Sequence, residues 1–367
     1  MNKGVLPDKA IATLAERGDI VSEHPLEKNQ IQPASIDLRL SSKAYRVRAS
    51  FLPNIDGLVS DKIKHFKLRE IDLSGGTVLD ANCVYIVPLM ESLNLKNGIS
   101  AYANPKSSIG RIDVFARVIG DRSQEFDSIS PNYSGPLYLE ILPRTFPIVV
   151  RVGSRLSQIR FVKERKFCSQ EELSALHELS PLVQDGLRDF SGKGVALSVD
   201  LKGNEIGKKS IIGYRAKRHT AAIDVDSENK YDESDFWDPL FSWDAPEGQF
   251  ILDPNEFYIF ASREFIQIPP SLVAEMIPYD HSIGEFRVHY AGFFDPGFGC
   301  VLPQEVGAKA VLEVRSSVPF VLEHGQIIGR LKYESMDGEP ERLYGEARGS
   351  HYQSQALKLS KHFHQTQ

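Results

Sequence analysis

Residues 102–111 read YANPKSSIGR and gather into one turn the groups that hold a polyphosphate. Lys106 and Arg111 bring positive charge, Ser107 and Ser108 bring short hydroxyl donors, and Gly110 is expected to let a backbone N–H come close to an oxyanion. A Lys-Ser-Ser turn between strands is also ordinary loop chemistry, because Ser and Gly are turn residues in any case. An altered copy at residues 277–285, IPYDHSIGE, tells the two readings apart. With the shared SIG in register, Lys106 meets Asp280, Ser107 meets His281 and Arg111 meets Glu285. A nucleoside triphosphate carries about four negative charges, and two carboxylates in place of two cations repel it by several kcal/mol in a partly dry pocket. Only the first copy is fit to hold phosphates.

A second constellation lies downstream. Residues 289–299, HYAGFFDPGFG, place Gly292, Gly297 and Gly299 around Pro296, which describes a tight β-turn with backbone groups exposed to read the edge of a flat heterocycle. Phe293, Phe294 and Phe298 offer either stacking surface or core. Glu313 stands in the apolar strand AVLEV, where an unpaired carboxylate costs several kcal/mol. Two readings stay open for it: an ion pair with Arg315 or another cation, or catalysis. The earlier half has its own candidate, Glu140 in LYLEI. The segment before it, VIGDRSQEFDSISPNYSG, keeps Tyr133, Ser134 and Gly135 but lacks the compact AGFxDPGF.

The elements that must position these residues begin with residues 8–17, which read as one short amphipathic helix between Pro7 and Gly18, with Ile11, Leu14 and Ala15 apolar. From residue 31 to about 163, short alternating runs such as SIDLRL, CVYIVPL and FPIVV are punctuated by Gly, Pro, Asn and Ser, the texture of an all-β unit. Residues 162–189 turn helical, with Leu173, Leu176 and Leu179 on one side. Strand texture resumes at Val195, and blocks of the first half return in order: SIDLR answers SVDLK, AYRVRA answers GYRAKR, YIVPLMESLNL answers YIFASREFIQI, and LYLEI answers AVLEV. FPIVVRVGSRLSQIRF answers VPFVLEHGQIIGRLKY, all at an offset of roughly 170 residues, so the chain is a tandem duplication. The expected layout is a first β-barrel over 1–165 with the phosphate turn, a helical connector over 166–193, a second β-barrel over 194–336 with the base turn, and a polar C-terminal tail over 337–367.

Composition bounds the function. A chain of 367 residues with 41% hydrophobic residues has room for two ordinary cores. A net charge of -6 argues against general nucleic-acid binding while allowing a local basic pocket for a small anion. No membrane span or signal-peptide hydrophobic region is expected. Cys83, Cys168 and Cys300 are scattered, with no CxxC pair, which points to a reducing, cytoplasmic setting and away from structural zinc. The chain has no HxE followed by PCxxC, the signature of zinc deaminases.

With these motifs in view, the chain resembles the dCTP deaminases of the trimeric dUTPase-like superfamily, in a longer bacterial form with two such units. The resemblance is carried by IQPASIDLRL near Ile31, KSSIGR at Lys106, HYAGFFDPGFG at His289, VLEV with Glu313 and LYGEARGSHYQSQ at Leu343, and it covers nearly the whole chain. It implies a mainly β chain of two tandem dUTPase-like distorted barrels of jelly-roll type. It further implies a zinc-free hydrolytic deaminase, in which a glutamate activates water against C4 of cytosine and a Ser/Arg turn from a neighbouring subunit binds the triphosphate with magnesium. Carried over residue by residue, the phosphate turn is Lys106, Ser107, Ser108 and Arg111. The base side is Ala291, Asp295, Phe298 and Glu313, with Glu140 as the alternative acid, and Tyr344 and Gln355 sit in the closing tail. Lys106 stands where the family usually has arginine, and His351 where its tail usually has lysine. Unit one thus keeps the phosphate turn and loses the base turn, and unit two does the reverse, so a composite pocket is expected in a homo-oligomer, a trimer being the family habit. The rival activities are a dUTP pyrophosphatase, a bifunctional enzyme doing both steps, and a non-catalytic nucleotide-binding regulator.

Overall fold

The computed structural model describes the chain outside residues 1–2, 28, 191–193, 204–209, 279–285, 289–291, 302–304, 347–351, 354–355 and 365–367, and at 278, 286–288, 301 and 305–306 it describes the backbone alone. The chain is mainly β and forms two compact units. Unit one comprises Met1–Lys166, His219–Lys230 and Met336–Arg342; unit two comprises Phe167–Arg218, Tyr231–Ser335 and Leu343–Gln367.

The two units repeat one topology. In unit one a six-stranded sheet runs, in hydrogen-bonded order, Lys67–Asp72, Lys43–Val47, Val84–Asn94, Ser134–Pro143, Val114–Gly120, with Ile20–Ser22 also pairing with Val84–Asn94. In unit two the order is Trp237–Phe241, Ile211–Ala216, Phe257–Ile266, Ala308–Ser316, Phe286–Val288, with Val183–Gln184 also pairing with Phe257–Ile266. Each unit adds a four-stranded sheet: Ile36–Leu38, Ser157–Val162, Ser100–Pro105 and Ser128–Ile129 in one, Val195–Ser198, Ile327–Ser335, Leu272–Pro278 and Phe293–Phe294 in the other. The period-two pattern of CVYIVPL is the cause at the centre of unit one. Tyr85, Val87 and Leu89 turn to the interior and are buried, while Ile86 and Pro88 turn to the opposite face.

Three further segments fill out this plan. Residues 59–66, inside the stretch read as all-β, form the helix Val59–Phe66. At eight residues it is too short to stand out by period. Its Val59 and Ile63, one turn apart, pack with Val47, Ile86, Ile119 and Tyr138 in a satellite core on the outer face of the six-stranded sheet. The helix Gln170–Leu179 starts on a capping box: Ser169 Oγ accepts from the Glu172 N–H at 3.2 Å and Glu172 Oε2 accepts from the Ser169 N–H at 2.8 Å. Leu173 is buried in the unit-two core and Leu176 packs against it, but Leu179, expected on the same side, is exposed because the helix ends there. Ile223–Asp224 joins unit one as a parallel strand beside Ile148–Val150, where Arg151 bonds both Asp224 oxygens at 2.8 and 2.9 Å. The N-terminal helix spans Asp8–Glu16, with Ile11 and Leu14 buried. Among the described residues no helix is long and apolar enough to cross a membrane.

Candidate active site

The phosphate turn is built where the strand Ser100–Pro105 runs out. Lys106 is extended, and Ser107–Gly110 form a single helical turn that feeds Arg111 toward the strand Val114–Gly120. The Lys106 carbonyl accepts from the N–H groups of Ile109 at 2.8 Å and Gly110 at 3.2 Å, and the Ser107 carbonyl accepts from Arg111 N–H at 3.1 Å. Gly110 therefore does not offer its N–H to an oxyanion, as its residue type suggested: the amide is spent inside the turn and the residue is buried. Ser108 and Arg111 are buried as well, while Lys106 is partly open and ion-paired to Asp37. Asp37 belongs to the SIDLR strand, is itself buried, and has Arg155 Nη1 at 3.7 Å from the oxygen that meets Lys106. Arg155 also pairs with Glu27. Sequence reasoning misses Asp37 and Arg155 as site residues. The only signal for them is the repeat block SIDLR and the block FPIVVRVGSRLSQIRF that holds Arg155, which say nothing of a shared carboxylate. Lys106 and Arg155 thus share the buried Asp37, and Arg155 and Arg39 share Glu27, so charged groups of both signs surround the turn. The altered copy's Asp280, His281 and Glu285 lie outside the described residues.

In unit two, residues 295–298 make a type II turn. Pro296 takes the second position, Gly297 has φ +91° in the third, and Phe298 N–H donates back to the Asp295 carbonyl at 3.1 Å. A side chain at Gly297 would strike the tail, because its Cβ would come within 2.8 Å of Leu343 Cβ. Tyr344 N–H donates to the Pro296 carbonyl at 2.8 Å, so the tail lies directly on the turn. Gln353 completes the clamp. Its Oε1 accepts from Gly299 N–H at 3.3 Å, and its Nε2 donates to the carbonyls of Gly297 and Cys300 at 3.2 Å each. The Gly297 N–H donates to the Ile268 carbonyl at 2.9 Å. The expectation that the backbone of this turn stands exposed is thus corrected at Gly297 and Gly299, whose groups are taken by the tail and by Ile268. Ala291, Gln355 and His351 lie outside the described residues.

The aromatic residues of the turn are core. Phe293, Phe294 and Phe298 are buried, Phe294 and Phe298 meet edge to face at 5.2 Å, and Tyr344 lies 5.4 Å from Phe298. Phe298 therefore props the turn and the tail from below, and Asp295 beside it is buried.

Glu313 sits near the C-terminal end of Ala308–Ser316, cross-strand from Ile259. Its neighbours Leu312 and Val314 belong to the unit-two core, so by strand alternation Glu313 faces the opposite side of the sheet, with Lys309, Val311 and Arg315. It is 2% exposed. Lys309 bonds Asp200 at 2.7 Å, and Arg315 donates to the Asn255 carbonyl. Glu140 takes the matching place in unit one, cross-strand from Ile86, where Arg117 is ion-paired to it. The loop that precedes it is pinned by Tyr133, whose hydroxyl accepts from Asp121 N–H at 2.9 Å and donates to the Pro136 carbonyl at 2.6 Å.

The domain families described as the N-terminal and C-terminal domains of 2'-deoxycytidine 5'-triphosphate deaminase match residues 2–165 and 169–363. The chain belongs to that family, which makes it an enzyme of the dCTP deaminase class. A crystal structure of 2'-deoxycytidine 5'-triphosphate deaminase from Agrobacterium tumefaciens is similar over 95% of this chain and 100% of its own, with 55% identity and a TM-score of 0.88. A dCTP deaminase (dUMP-forming) of Methanobrevibacter smithii is 33% identical over 131 residues, 34% of this chain and 63% of that protein. A dCTP deaminase of Natronomonas pharaonis is 31% identical over 161 residues, 43% of this chain and 74% of that protein.

Proposed function

We propose that the chain hydrolyses dCTP to dUTP and ammonia, with Glu313 as the acid and base of the reaction. Water adds to C4 of cytosine as Glu313 takes one of its protons. The carboxyl returns a proton to the amino nitrogen, the C4–N bond breaks, and ammonia leaves. One carboxylate serves both transfers when its environment brings its two forms close in energy, which burial on an apolar strand favours. The observation that carries this reading is the burial of Glu313 in a strand whose other face is solid core. Lys106, Ser107, Ser108 and Arg111 are assigned to the phosphates, Ala291 and Asp295 to the pyrimidine side, and Phe298, Tyr344 and Gln355 to the turn and its closing tail.

Magnesium enters as part of the substrate. Among the described residues no group of three or more His, Cys, Asp or Glu side chains gathers to hold an ion. The metal is assigned to the triphosphate oxygens, where it neutralises charge, and the chemistry at C4 is assigned to Glu313. A homo-oligomer, a trimer by the family habit, and a cytoplasmic location complete the reading.

A second reading is favoured by a specific observation: the Methanobrevibacter relative is named as dUMP-forming. On that reading the enzyme also cleaves the phosphate chain. Purified chain with dCTP and magnesium separates the two by its products. Ammonia with intact dUTP supports deamination alone, ammonia with dUMP and pyrophosphate supports both steps, and nucleotide binding with no ammonia overturns the assignment.

A further inference from the structure

Glu140 is the repeat counterpart of Glu313, on the matching strand and opposite the matching isoleucine. It is fully buried, and its Oε2 has no hydrogen-bond partner among the described residues. Its other oxygen, Oε1, is met by Arg117, the residue directly across on Val114–Gly120. Arg117 donates to it through Nε at 3.1 Å and through Nη2, which also reaches Ser50 Oγ at 3.3 Å. The guanidinium carbon lies 3.8 Å from the centre of the Phe126 ring. A flat N–C–N group therefore rests on an aromatic face with its edge turned to the acid. The N3–C4–N4 edge of cytosine is a flat N–C–N group too, and stacking on an aromatic ring with the edge toward a carboxylate is how such a base is held.

We propose that the Glu140 place in unit one is a second amidine-binding pocket of the repeat, closed in cis by Arg117, and that once emptied it takes small planar amidinium or guanidinium cations. The proposal rests on reading Glu313 as the acid that faces cytosine, but its test reads stability and ligand rescue, so it stands or falls separately from turnover. The satellite core of Val47, Val59, Ile63, Ile86, Ile119 and Tyr138, with Phe126 packed against it, forms the wall beside the pocket. Arg117 closes the remaining side, with its side chain 29% exposed.

The test is thermal unfolding of the full chain carrying Arg117→Ala, with methylguanidinium or methylammonium at equal low-millimolar concentration. The variant is expected to unfold below the unsubstituted protein, because Glu140 is left buried without its cation. Methylguanidinium is expected to raise its midpoint saturably. Methylammonium, with the same charge but no plane, is expected to leave it unmoved, as is the unsubstituted chain with either cation. Adding Glu140→Leu removes the stranded acid, and the double variant should fold and ignore both cations. Equal response to the two cations, or no rescue of Arg117→Ala whether it is folded or needs the cation to fold, overturns the proposal.

Discussion

Glu140 and Glu313 share a strand position, a cross-strand partner type and near-complete burial, and differ in their surroundings. In unit one an arginine on the adjacent strand meets the carboxylate and an aromatic ring lies over that arginine. In unit two Lys309, on the strand of Glu313, bonds Asp200, Arg315 donates to the Asn255 carbonyl, and the position directly across from Glu313, residue 289, lies outside the described residues. In unit one the carboxylate already has one oxygen occupied by its facing arginine, which donates to it through both Nε and Nη2. On the proposed assignment of Glu313 as the catalytic acid, the comparison reads as a position retired after duplication, with Arg117 filling it and Glu140 kept as support.

The sharpest way to break this contrast is Glu313→Gln. Turnover of dCTP is expected to fall by about 10²- to 10⁴-fold with nucleotide binding kept, measured by ammonia release and by calorimetric titration. Next comes the acid beside the filled pocket. Burial pushes the Asp127 carboxyl up to about 7, offset by the Val118 N–H bond and by Arg117. A raised carboxyl stabilises the fold fully below its ordinary value of 3.8, and that contribution is lost as pH rises to about 7. Unfolding free energy should therefore decline across this window by up to about 1.4 kcal/mol per pH unit, less because Asp127 keeps some contact with water. Asp127→Asn should flatten the decline, as read by denaturant titrations at several pH values.

On the phosphate side, Lys106→Ala or Arg111→Ala should each weaken triphosphate binding by about 1.5–3 kcal/mol, roughly 10- to 100-fold in KM. Deoxycytidine, which lacks phosphates, should be handled as before. The effect furthest from the chemistry is expected from Gln353→Ala, which frees the turn at Gly297, Gly299 and Cys300 and should cost stability and not turnover. About 0.5–1.5 kcal/mol per lost hydrogen bond bounds it, and faster proteolysis of the tail would report it.

Much of this is legible in the sequence. The mainly β tandem layout follows from the matched blocks, and the DPGF turn from Pro and Gly at the positions a type II turn requires. The rest depends on contacts between residues far apart in the chain. Nothing in KSSIGR says that Gly110 would spend its amide inside a helical turn, or that Asp37, far upstream, would take the Lys106 ammonium. Residues 59–66 hold too few turns of periodicity to reveal a helix. Arg117 is silent in the sequence because cross-strand register, which sets it opposite Glu140, is not written in either segment alone.

The most direct measurement is ammonia release from dCTP by Glu313→Gln and Glu140→Gln, side by side and normalised to folded protein. Retirement of the unit-one acid predicts a rate lost in the first variant and kept in the second, whose cost appears in its melting temperature. A Glu140→Gln enzyme that is folded but silent, beside an active Glu313→Gln, would contradict it.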